Sequence, residues 1–594
     1  MSGKVKWGIL GTGKIAHTLA RAIGASRTGE LVAVGSRRAE TAAEFANEFN
    51  VSKAYASYDE LLADADVQAI YISLPNHLHA EWTIKCAEAG KHILCEKPLA
   101  TNHAEAMAAV DAVRFHDVFL MEAFMYRCHP QTARLAEMIR DGAIGEVRLI
   151  QSNFSYNMGP QYENIRLSNP AAGGAIMDVG CYTVSISRLV AGASLGTDFA
   201  QPVEVKGCAH IGDVSRVDEQ STAALKFDGG IVANVACGTQ VAADATLCIW
   251  GSKGHILVAN PWFPGKGESH ITLRRDGAEA EDIVVTAEDE LYSIEVDTVA
   301  RHIENRQAPA PCMTWEDSLG NMRILDRWRK SVGLVFDAEK GDALKATVSK
   351  RPLKTRPGCN MRYIELPGLE KKISQLVMGT MIFSPDDMPF ACAMFDNFVE
   401  RGGNCFDTAY VYGGGNSEPA LGEWMRLRGN RDELVVIGKG AHTPNCNVES
   451  LTRELNETLE RLGTDYLDIY LLHRDDPGVP VSEFVDCLIE HVEAGRIRLF
   501  GGSNWTLERI AEAREYARSR GRIGFTVSSS NLCMATWNEP MWAGSISASD
   551  ARSRAWHEES QTALFAWSSQ ANGFFSGRFS PEDRSDSDMV RVWH

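Results

Sequence analysis

The first sixteen residues of the chain constrain its fold more than any other stretch. An apolar, strand-like run from Val5 to Leu10 leads into the pattern Gly-x-Gly-x-x-Ala, which opens a helix-like segment. The first glycine of such a pattern allows a tight turn, the second lets backbone approach a pyrophosphate, and the alanine permits close helix packing. We therefore predict a dinucleotide-binding domain, with the phosphates at the helix N-terminus. The residues expected to contact the cofactor are Gly11, Gly13, Lys14 and Ile15.

The second predicted strand, Glu30 to Gly35, bears on the choice between NAD and NADP. Where an NAD site usually has an acidic residue, this chain has Ser36, Arg37 and Arg38. Hydroxyl and guanidinium groups suit the 2′-phosphate of NADP, so the sequence favours NADP and leaves NAD open. In the alternative interpretation the two arginines merely cap the next helix.

Two further apolar strands end in polar residues. The run from Val67 to Leu74 leads into Pro-Asn-His-Leu-His, and the run from His92 to Cys95 leads into Glu-Lys-Pro. Open α/β sheets bind their ligands at the carboxyl ends of parallel strands, so we expect these polar residues to line the cofactor site. They include Asn76, His79, Glu96 and Lys97. The histidines have no third ligand nearby in the sequence, so no metal site is predicted.

Lys97 is the candidate catalytic residue of this region. An ammonium at the end of a parallel strand can bond a substrate hydroxyl and stabilise the oxyanion that forms as hydride leaves. The alternative is a surface lysine in a strand-to-helix loop.

Together these motifs resemble the Gfo/Idh/MocA oxidoreductase family. Two later segments, Met121–Pro130 and Gly173–Tyr182, extend the resemblance to about residue 335, and the pattern Asp-x-x-x-Tyr is similar to the dihydrodiol dehydrogenase and xylose dehydrogenase branch. The resemblance implies that Lys97 and Tyr182 act at the substrate hydroxyl while Asp178 positions the substrate. Residues 178 and 182 would share one face of a helix. A phenol beside an ammonium can serve as general acid or base, and which of the two carries the proton stays open.

The region after residue 126 is predicted to form a separate α+β domain. Strand-like runs between Glu146 and Gly251, with turn signals between them, indicate one large, mostly antiparallel sheet. We therefore expect a Rossmann domain over 1–125 and this second domain over 126–336. In the resembled family the open face of such a sheet often forms a dimer interface, which implies a homo-oligomer. Residues 337–360 lose their periodicity and are predicted to be a charged linker.

Beyond residue 360, polar residues end successive apolar strands at a regular interval. Asp407, Lys439, His473 and Ser503 are separated by 32, 34 and 30 positions. That interval is typical of the β/α units of a (β/α)8 TIM barrel, whose active sites lie at the carboxyl ends of the strands. With Tyr412, the first three of these residues resemble the catalytic tetrad of the aldo/keto reductases.

This second resemblance implies a role for each of these residues. Tyr412 would donate a proton to a carbonyl. Lys439, held by Asp407, would lower the pKa of that tyrosine, and His473 would orient the substrate. Ser503 and Asn504 would hold the carboxamide of NADPH.

The last part of the barrel departs from the resembled pattern. The strand around Ala563–Trp567 would be the seventh. Over 361–594 we therefore expect an incomplete barrel that lacks its last β/α unit. It is interpreted as a carbonyl reductase module or, alternatively, as a non-catalytic module for dimerisation or regulation.

Composition limits the partners of the chain. The net charge of −18 leaves no basic stripe for nucleic acid, and no apolar run is long enough to span a bilayer. The 14 cysteines are scattered and are expected to be reduced. The N-terminus leads directly into a strand, so a cytoplasmic protein is expected. The leading hypothesis is a two-module, NAD(P)-dependent oxidoreductase that interconverts hydroxyl and carbonyl groups on a sugar, polyol or cyclic diol.

Overall fold

A computed structural model describes residues 3–577 and 590–592 of the chain. The chain divides into two compact units, Met1–Arg351 and Pro352–His594. The segment predicted to be a linker begins inside the first unit, with two short 3-10 helices at Asp337–Glu339 and Gly341–Lys345. In the described ranges, no helix has both the length and the apolar character needed to cross a lipid bilayer.

The first unit begins with a six-stranded parallel sheet in the order β3-β2-β1-β4-β5-β6. Its strands are β1 (Val5–Leu10), β2 (Gly29–Gly35), β3 (Lys53–Tyr55), β4 (Ala69–Ile72), β5 (His92–Glu96) and β6 (Leu120–Ala123). Its helices are α1 (Lys14–Ala25), α2 (Ala39–Phe49), α3 (Tyr58–Leu62), α4 (His79–Glu88) and α5 (His103–Phe115). The strand order reverses between β1 and β4, which opens a crevice at the carboxyl ends of these two strands, where open α/β sheets bind their ligands.

An eight-stranded sheet follows, in the order β14-β13-β12-β11-β7-β10-β9-β8. Its strands are β7 (Val147–Ser155), β8 (Glu204–Ile211), β9 (Asp218–Lys226), β10 (Val232–Gly238), β11 (Thr246–Gly251), β12 (Gly254–Val258), β13 (Gly267–Arg275) and β14 (Glu281–Ala287). The helices are α6 (Pro130–Arg140), α7 (Cys181–Leu195), α8 (Leu291–His302) and α9 (Trp315–Ser331). All pairs are antiparallel except β7 with β10, so the sheet is mixed.

One face of this sheet is covered and the other is open. Helix α7 packs on β7 and β10, and nearly all of its residues are buried. Along β8 and β9 buried or half-buried residues alternate with exposed ones, as expected for a sheet with one solvent-facing side.

The second unit contains a seven-stranded parallel sheet in which the strands follow one another in sequence order. After a short hairpin of β15 (Tyr363–Ile364) and β16 (Ile373–Ser374), the strands are β17 (Val377–Gly379), β18 (Cys405–Asp407), β19 (Val435–Gly440), β20 (Leu467–Leu472), β21 (Ile497–Ser503), β22 (Val527–Ser529) and β23 (Ala563–Leu564). The helices are α10 (Met388–Glu400), α11 (Ser417–Arg428), α12 (Val448–Leu462), α13 (Val481–Glu493), α14 (Leu507–Ser519) and α15 (Ala551–Ser560).

The interior of this curved sheet is filled by alternate residues of successive strands. Val435, Ile469 and Val527 belong to one apolar cluster, and Ile373 of the hairpin packs with them. The predicted fold class is confirmed: a Rossmann domain, a large and mostly antiparallel sheet, and a partial barrel that shows seven parallel strands in the part of the chain that the structure describes.

Candidate functional sites

The first unit holds a cavity of about 870 Å3 at the carboxyl ends of its parallel strands. Nine of the predicted site residues line it, and they come from both domains of the unit. These are Gly13, Lys14, Ile15, Asn76, His79, Glu96, Lys97, Asp178 and Tyr182. Gly11 lies behind the lining, and Ser36, Arg37 and Arg38 follow β2 outside it.

The glycine turn between β1 and α1 has the geometry that a dinucleotide requires. Gly11 has a φ of +97°, and a Cβ at this position would lie 3.0 Å from Ser73 Oγ. At Gly13, which caps α1, no atom lies within 4 Å of the place where a Cβ would stand. The start of α1 is therefore open to the cavity, and its amides can receive a phosphate. These residues fit a bound dinucleotide.

The residues after β2 are placed differently from one another. Ser36 is buried, and its hydroxyl lies 2.6 Å from Thr41 Oγ1. Arg37 and Arg38 are exposed, and Arg38 directly precedes α2. The two guanidinium groups can therefore be reached from solvent at the edge where a ribose 2′-phosphate is bound in this kind of fold.

His79 and Asn76 tie loops of the cavity wall together. The two ring nitrogens of His79 lie 2.7 Å from Leu74 O and 2.7 Å from Pro98 O. Burial lowers the pKa of His79 to about 4, so the ring is neutral at pH 7 and donates one hydrogen bond. Asn76 Nδ2 donates to Ala172 O at 2.8 Å. Across the described ranges, no group of three or more His, Cys, Asp or Glu side chains is arranged to hold a metal ion.

Lys97 and Asp178 form a buried ion pair in this cavity. Lys97 Nζ donates to Asp178 Oδ1 at 3.0 Å and to the backbone oxygen of the same residue at 2.7 Å. Burial on its own would lower the pKa of Lys97, but Asp178, Cys181 and Glu96 together outweigh this effect, so that the pKa is raised. Burial would raise the pKa of Asp178, but Lys97 and Arg166 lower it to about 2. Both groups are therefore charged at neutral pH.

Two residues that the sequence analysis did not single out complete the surroundings of Asp178. Tyr156 donates its hydroxyl hydrogen to Asp178 Oδ2 at 2.5 Å, and Arg166 Nε donates to the same oxygen at 3.1 Å. Tyr156 directly follows β7, so its place at a strand end was a usable signal. Arg166 lies in a short 3-10 helix of a long connection, where the sequence has no readable pattern.

Tyr182 lines the same cavity, and its hydroxyl bonds a side chain outside the ion pair. Its O–H donates to Met125 Sδ at 3.4 Å, while Lys97 Nζ lies 5.3 Å from the centre of its ring. The ring packs edge-on against Phe124 at a centroid distance of 5.0 Å. Burial raises the pKa of Tyr182 well above the usual value. Residues Ile176–Gly180 form a π-helix before α7, so Asp178 and Tyr182 do not lie on one regular α-helix.

The second unit has its own cavity, of about 810 Å3, at the carboxyl ends of its parallel strands. All of the residues predicted for this half of the chain line it. They are Asp407, Tyr412, Lys439, His473, Ser503 and Asn504. The structure thus brings together residues that are spread over nearly a hundred positions of sequence, because each follows or ends a neighbouring strand.

Lys439 stands between the carboxylate and the phenol of this cavity. Its Nζ pairs with Asp407, donates to Thr408 O at 3.0 Å, and lies 4.8 Å from the centre of the Tyr412 ring. Burial raises the pKa of Tyr412, and Lys439 offsets this rise only in part. The predicted direction of the lysine's effect holds, but burial outweighs it. The phenol is therefore protonated at neutral pH, as a proton donor must be.

The other predicted residues of this cavity are buried around the same pair. The rings of His473 and Tyr412 lie 5.8 Å apart at their centroids, and burial lowers the pKa of His473 well below its usual value. Asn504 donates to Ser503 Oγ at 3.0 Å and accepts from the Ile546 amide at 3.1 Å. Further lining residues that the sequence analysis missed include His442, Arg474, Trp542 and Trp567.

Family models match both units of the chain. The model described as the oxidoreductase family with an NAD-binding Rossmann fold matches residues 5–124, and the GFO/IDH/MocA C-terminal domain matches residues 132–257. The aldo/keto reductase family matches residues 375–591. Both resemblances predicted from the motifs are thereby confirmed.

Curated relatives are similar to somewhat more than half of the chain. The chain is 35% identical to D-xylose 1-dehydrogenase (NADP(+)) 2 of Haloferax volcanii, over 54% of this chain and 95% of that protein. It is 34% identical to the uncharacterized oxidoreductase ORF334 of Rhizobium meliloti, over 57% of this chain and 98% of the relative. It is 28% identical to trans-1,2-dihydrobenzene-1,2-diol dehydrogenase of Mus musculus, over 57% and 99%.

A solved structure is similar to the chain over a comparable share of its length. KijD10, a 3-ketoreductase from Actinomadura kijaniata in complex with NADP and TDP-benzene, is similar to this chain with a TM-score of 0.50 and 28% identity, over 56% of this chain and 98% of its own. The chain is therefore an oxidoreductase of the Gfo/Idh/MocA family, with an NAD-binding Rossmann fold, whose sequence continues into a segment that matches the aldo/keto reductase family.

Proposed function

We propose that the first unit interconverts a hydroxyl and a carbonyl group on a sugar, polyol or cyclic diol, with NADP as the preferred cofactor. The observation that carries this proposal is the buried Lys97–Asp178 pair, which faces the same cavity as the open turn at Gly13. The xylose and dihydrodiol dehydrogenases among the relatives support this substrate class.

The chain's own residues divide the work at the reacting carbon. Lys97 would bond the substrate oxygen and stabilise the charge that develops on it. Asp178 would hold Lys97 and a neighbouring substrate hydroxyl, since carboxylates accept several hydrogen bonds at once. The proposed cofactor contacts are the turn at Gly11 and Gly13 and, for the 2′-phosphate, Ser36, Arg37 and Arg38. Bound NADP supplies the hydride acceptor or donor.

A calorimetric titration of the full chain with NADP and with NAD tests the cofactor assignment. Changing Arg37 and Arg38 together to alanine is expected to weaken NADP binding by about tenfold or more, because charge-assisted contacts to phosphate are lost. Binding of NAD should stay within twofold. The matched control changes Arg134, an exposed arginine of α6, to alanine. Equal losses for NAD and NADP would show that the two arginines do not recognise the phosphate.

We propose a second function, carbonyl reduction, for the second unit. The observation in favour is the tetrad itself: Lys439 is paired with Asp407 beside the protonated phenol of Tyr412, in one cavity with His473. Tyr412 would give its proton to the carbonyl oxygen while Lys439 stabilises the phenolate that remains. The alternative is a non-catalytic module. The titration above shows whether this cavity holds cofactor, because one chain should bind two NADP molecules only if it does, and loss of carbonyl reduction in Tyr412→Phe would exclude the alternative.

We propose further that the chain forms a homo-oligomer through the open face of its large sheet. On that face Leu149 of β7 is paired in register with Val232 of β10, and their exposures are 39% and 40%. Trp250 of β11, the strand on the other flank of β7, is paired with Leu149 as well. Apolar side chains clustered on an open sheet are typical of protein interfaces. Light scattering after size exclusion should show a dimer or larger assembly, and Leu149→Arg should shift it toward the monomer. A native chain that is monomeric at high concentration would contradict this proposal.

A further inference from the structure

Arg474 stands out among the buried arginines of the chain. In the described ranges four arginines are classed as buried: Arg127, Arg188, Arg329 and Arg474. The first two pair with Asp317, and the third pairs with Asp326 and Glu339. Arg474 is 9% exposed and has no carboxylate partner among the described residues. Its bonds are weak: Nη1 donates to His473 O at 3.3 Å, and Nη2 donates to Ser545 Oγ at 3.5 Å.

A buried guanidinium without a counter-ion is unfavourable, because the charge loses its hydration and receives little in return. Arginine remains charged in proteins, so the group cannot escape this cost by releasing a proton. Natural folds usually resolve the problem with an aspartate or glutamate, as they do at the other three arginines. At Arg474 no such carboxylate is present among the described residues. A buried guanidinium without a counter-ion is typical of a site that binds an anionic ligand.

Arg474 faces the second cavity close to the proposed proton donor. It follows His473 directly and lines the cavity together with Tyr412. The Arg474 and Tyr412 side chains each shift the pKa of the other by their charge. The arginine also lies against the loop that carries Trp542, since a Cβ at Gly544 would stand 4.0 Å from Arg474 Nε. An anion held by this guanidinium would therefore lie beside the carbonyl to be reduced.

The charges that line the cavity select a singly charged ligand. Apart from His442 and His473, the acidic and basic residues among the described lining are Asp407, Lys439 and Arg474. Asp407 and Lys439 neutralise each other as an ion pair. One positive charge remains on Arg474, which matches a carboxylate better than a doubly charged phosphate.

The cavity walls favour a flat substrate. Trp542 and Trp567 both line it, and their rings lie 5.6 Å apart at the centroids. Trp542 is 48% exposed, so its ring presents apolar surface that a planar ligand can cover. We propose that Arg474 anchors the carboxylate of the carbonyl substrate in the second cavity, and that this substrate is an aromatic aldehyde or ketone bearing an acid group. The substrate role rests on the carbonyl reductase function proposed above, while the anion site itself does not.

The first experiment compares two aldehydes that differ only in the acid group. The full chain carrying Lys97→Ala, which silences the first site, is assayed with para-carboxybenzaldehyde and with benzaldehyde. The ratio of their kcat/KM values is expected to exceed ten and to fall by about 10- to 100-fold in Arg474→Met, because a charge-assisted contact is lost. Arg474→Lys should recover part of the ratio, mainly through KM. The matched control is Arg518→Met, an arginine whose side chain is 78% exposed. A ratio near one in the Lys97→Ala chain would overturn the anchor.

The second experiment measures binding without turnover, so that failure of the anchor and failure of the reductase function can be told apart. Calorimetric titration of the same chains with benzoate and with benzamide should show tighter binding of benzoate, lost in Arg474→Met and kept in Arg518→Met. Benzoate binding that depends on Arg474, without any Tyr412-dependent reduction, would keep the anion site and reject the reductase. Tyr412-dependent reduction, with benzoate and benzamide bound alike, would keep the reductase and reject the anchor.

Discussion

The two cavities of this chain both place a buried lysine at the end of a parallel strand, but the lysines have different neighbours. Lys97 bonds the carboxylate of Asp178, which also accepts hydrogen bonds from Tyr156 and Arg166. Asp178 is therefore surrounded by two positive charges and one hydroxyl group. Lys439 is almost fully enclosed, and it pairs with Asp407 beneath the ring of Tyr412. In the proposed mechanisms, the lysine therefore contacts the substrate in the first site and stabilises the proton donor in the second.

The comparison suggests what determines the role of such a lysine. Where a phenol gives its hydrogen to the carboxylate that the lysine bonds, as Tyr156 does, the ammonium would be the group left to bond the substrate. Where the phenol is free of a carboxylate, as Tyr412 is, the ammonium stabilises the phenolate instead.

The largest effect is expected from Lys97→Ala. Removing the ammonium should lower first-site turnover of a sugar or diol on the order of a thousandfold, because the developing oxyanion loses its main stabilising charge. Affinity for NADP should change little. Lys206→Ala, at an exposed lysine of β8, serves as the control. Steady-state kinetics measure the turnover, and cofactor titration on the same preparations measures the affinity for NADP. Turnover that survives the change would contradict the assignment of Lys97.

Tyr412→Phe should lower carbonyl reduction by about a hundredfold, because the proton donor is lost while the ring remains in place. Oxidation of sugars or diols by the first site should be unaffected. Tyr363, a partly exposed tyrosine of β15 that bonds Gly402 O at 2.6 Å, offers a control as Tyr363→Phe. If no NADPH-dependent carbonyl reduction is sensitive to Tyr412, the second cavity is not an active site of this kind.

A smaller effect, about tenfold, is expected from Tyr182→Phe. The hydroxyl of Tyr182 bonds Met125 Sδ and not the Lys97–Asp178 pair, so its removal should disturb packing more than proton transfer. The change sharpens the contrast between the two phenols, since Tyr412→Phe should cost more. A loss as large as that of Lys97→Ala would instead show that the hydroxyl of Tyr182 turns toward the substrate and carries the proton.

The smallest effect is the change in the stability difference between the native chain and Asp178→Asn when the pH falls from about 8 to about 5. The pKa of Asp178 lies at about 2 in the folded chain, and that of Lys97 is raised, so both groups keep their charge in this range. A carboxylate whose pKa is lowered by folding stabilises the folded chain at pH values above its pKa in the unfolded chain. That stabilisation is lost only as the pH falls through its pKa in the folded chain. The difference in urea midpoint between the native chain and Asp178→Asn should therefore be the same at both pH values. A difference that shrinks on acidification would contradict it.

The sequence predicted those site residues that mark the ends of regular strands. Glu96, Asp407 and Ser503 end β5, β18 and β21, and the alternation of apolar runs with glycine and polar residues located them without any structure. The same principle covered Lys97 and His473, each one residue beyond its strand.

Other features depended on tertiary packing that no local pattern records. Arg166 and Trp542 lie in long connections whose path is set by the elements around them. The π-helix at Ile176–Gly180 interrupts what the sequence presents as one helix, and the hydroxyl of Tyr182 bonds Met125 Sδ. The net rise in the pKa of Tyr412 arises from burial, which outweighs the neighbouring charge that the sequence made visible.

The three donors on Asp178 have a mechanical consequence. Two of them, Tyr156 and Arg166, belong to the connection that follows β7, and the third, Lys97, comes from a distant stretch of sequence after β5. The Asp178 carboxylate therefore holds the connection 156–167 against the cavity through its bonds to Tyr156 and Arg166. A small molecule whose hydroxyl bonds this carboxylate must displace one of these donors. Filling the cavity would therefore loosen the connection 156–167, and emptying the cavity would restore the bonds that hold it.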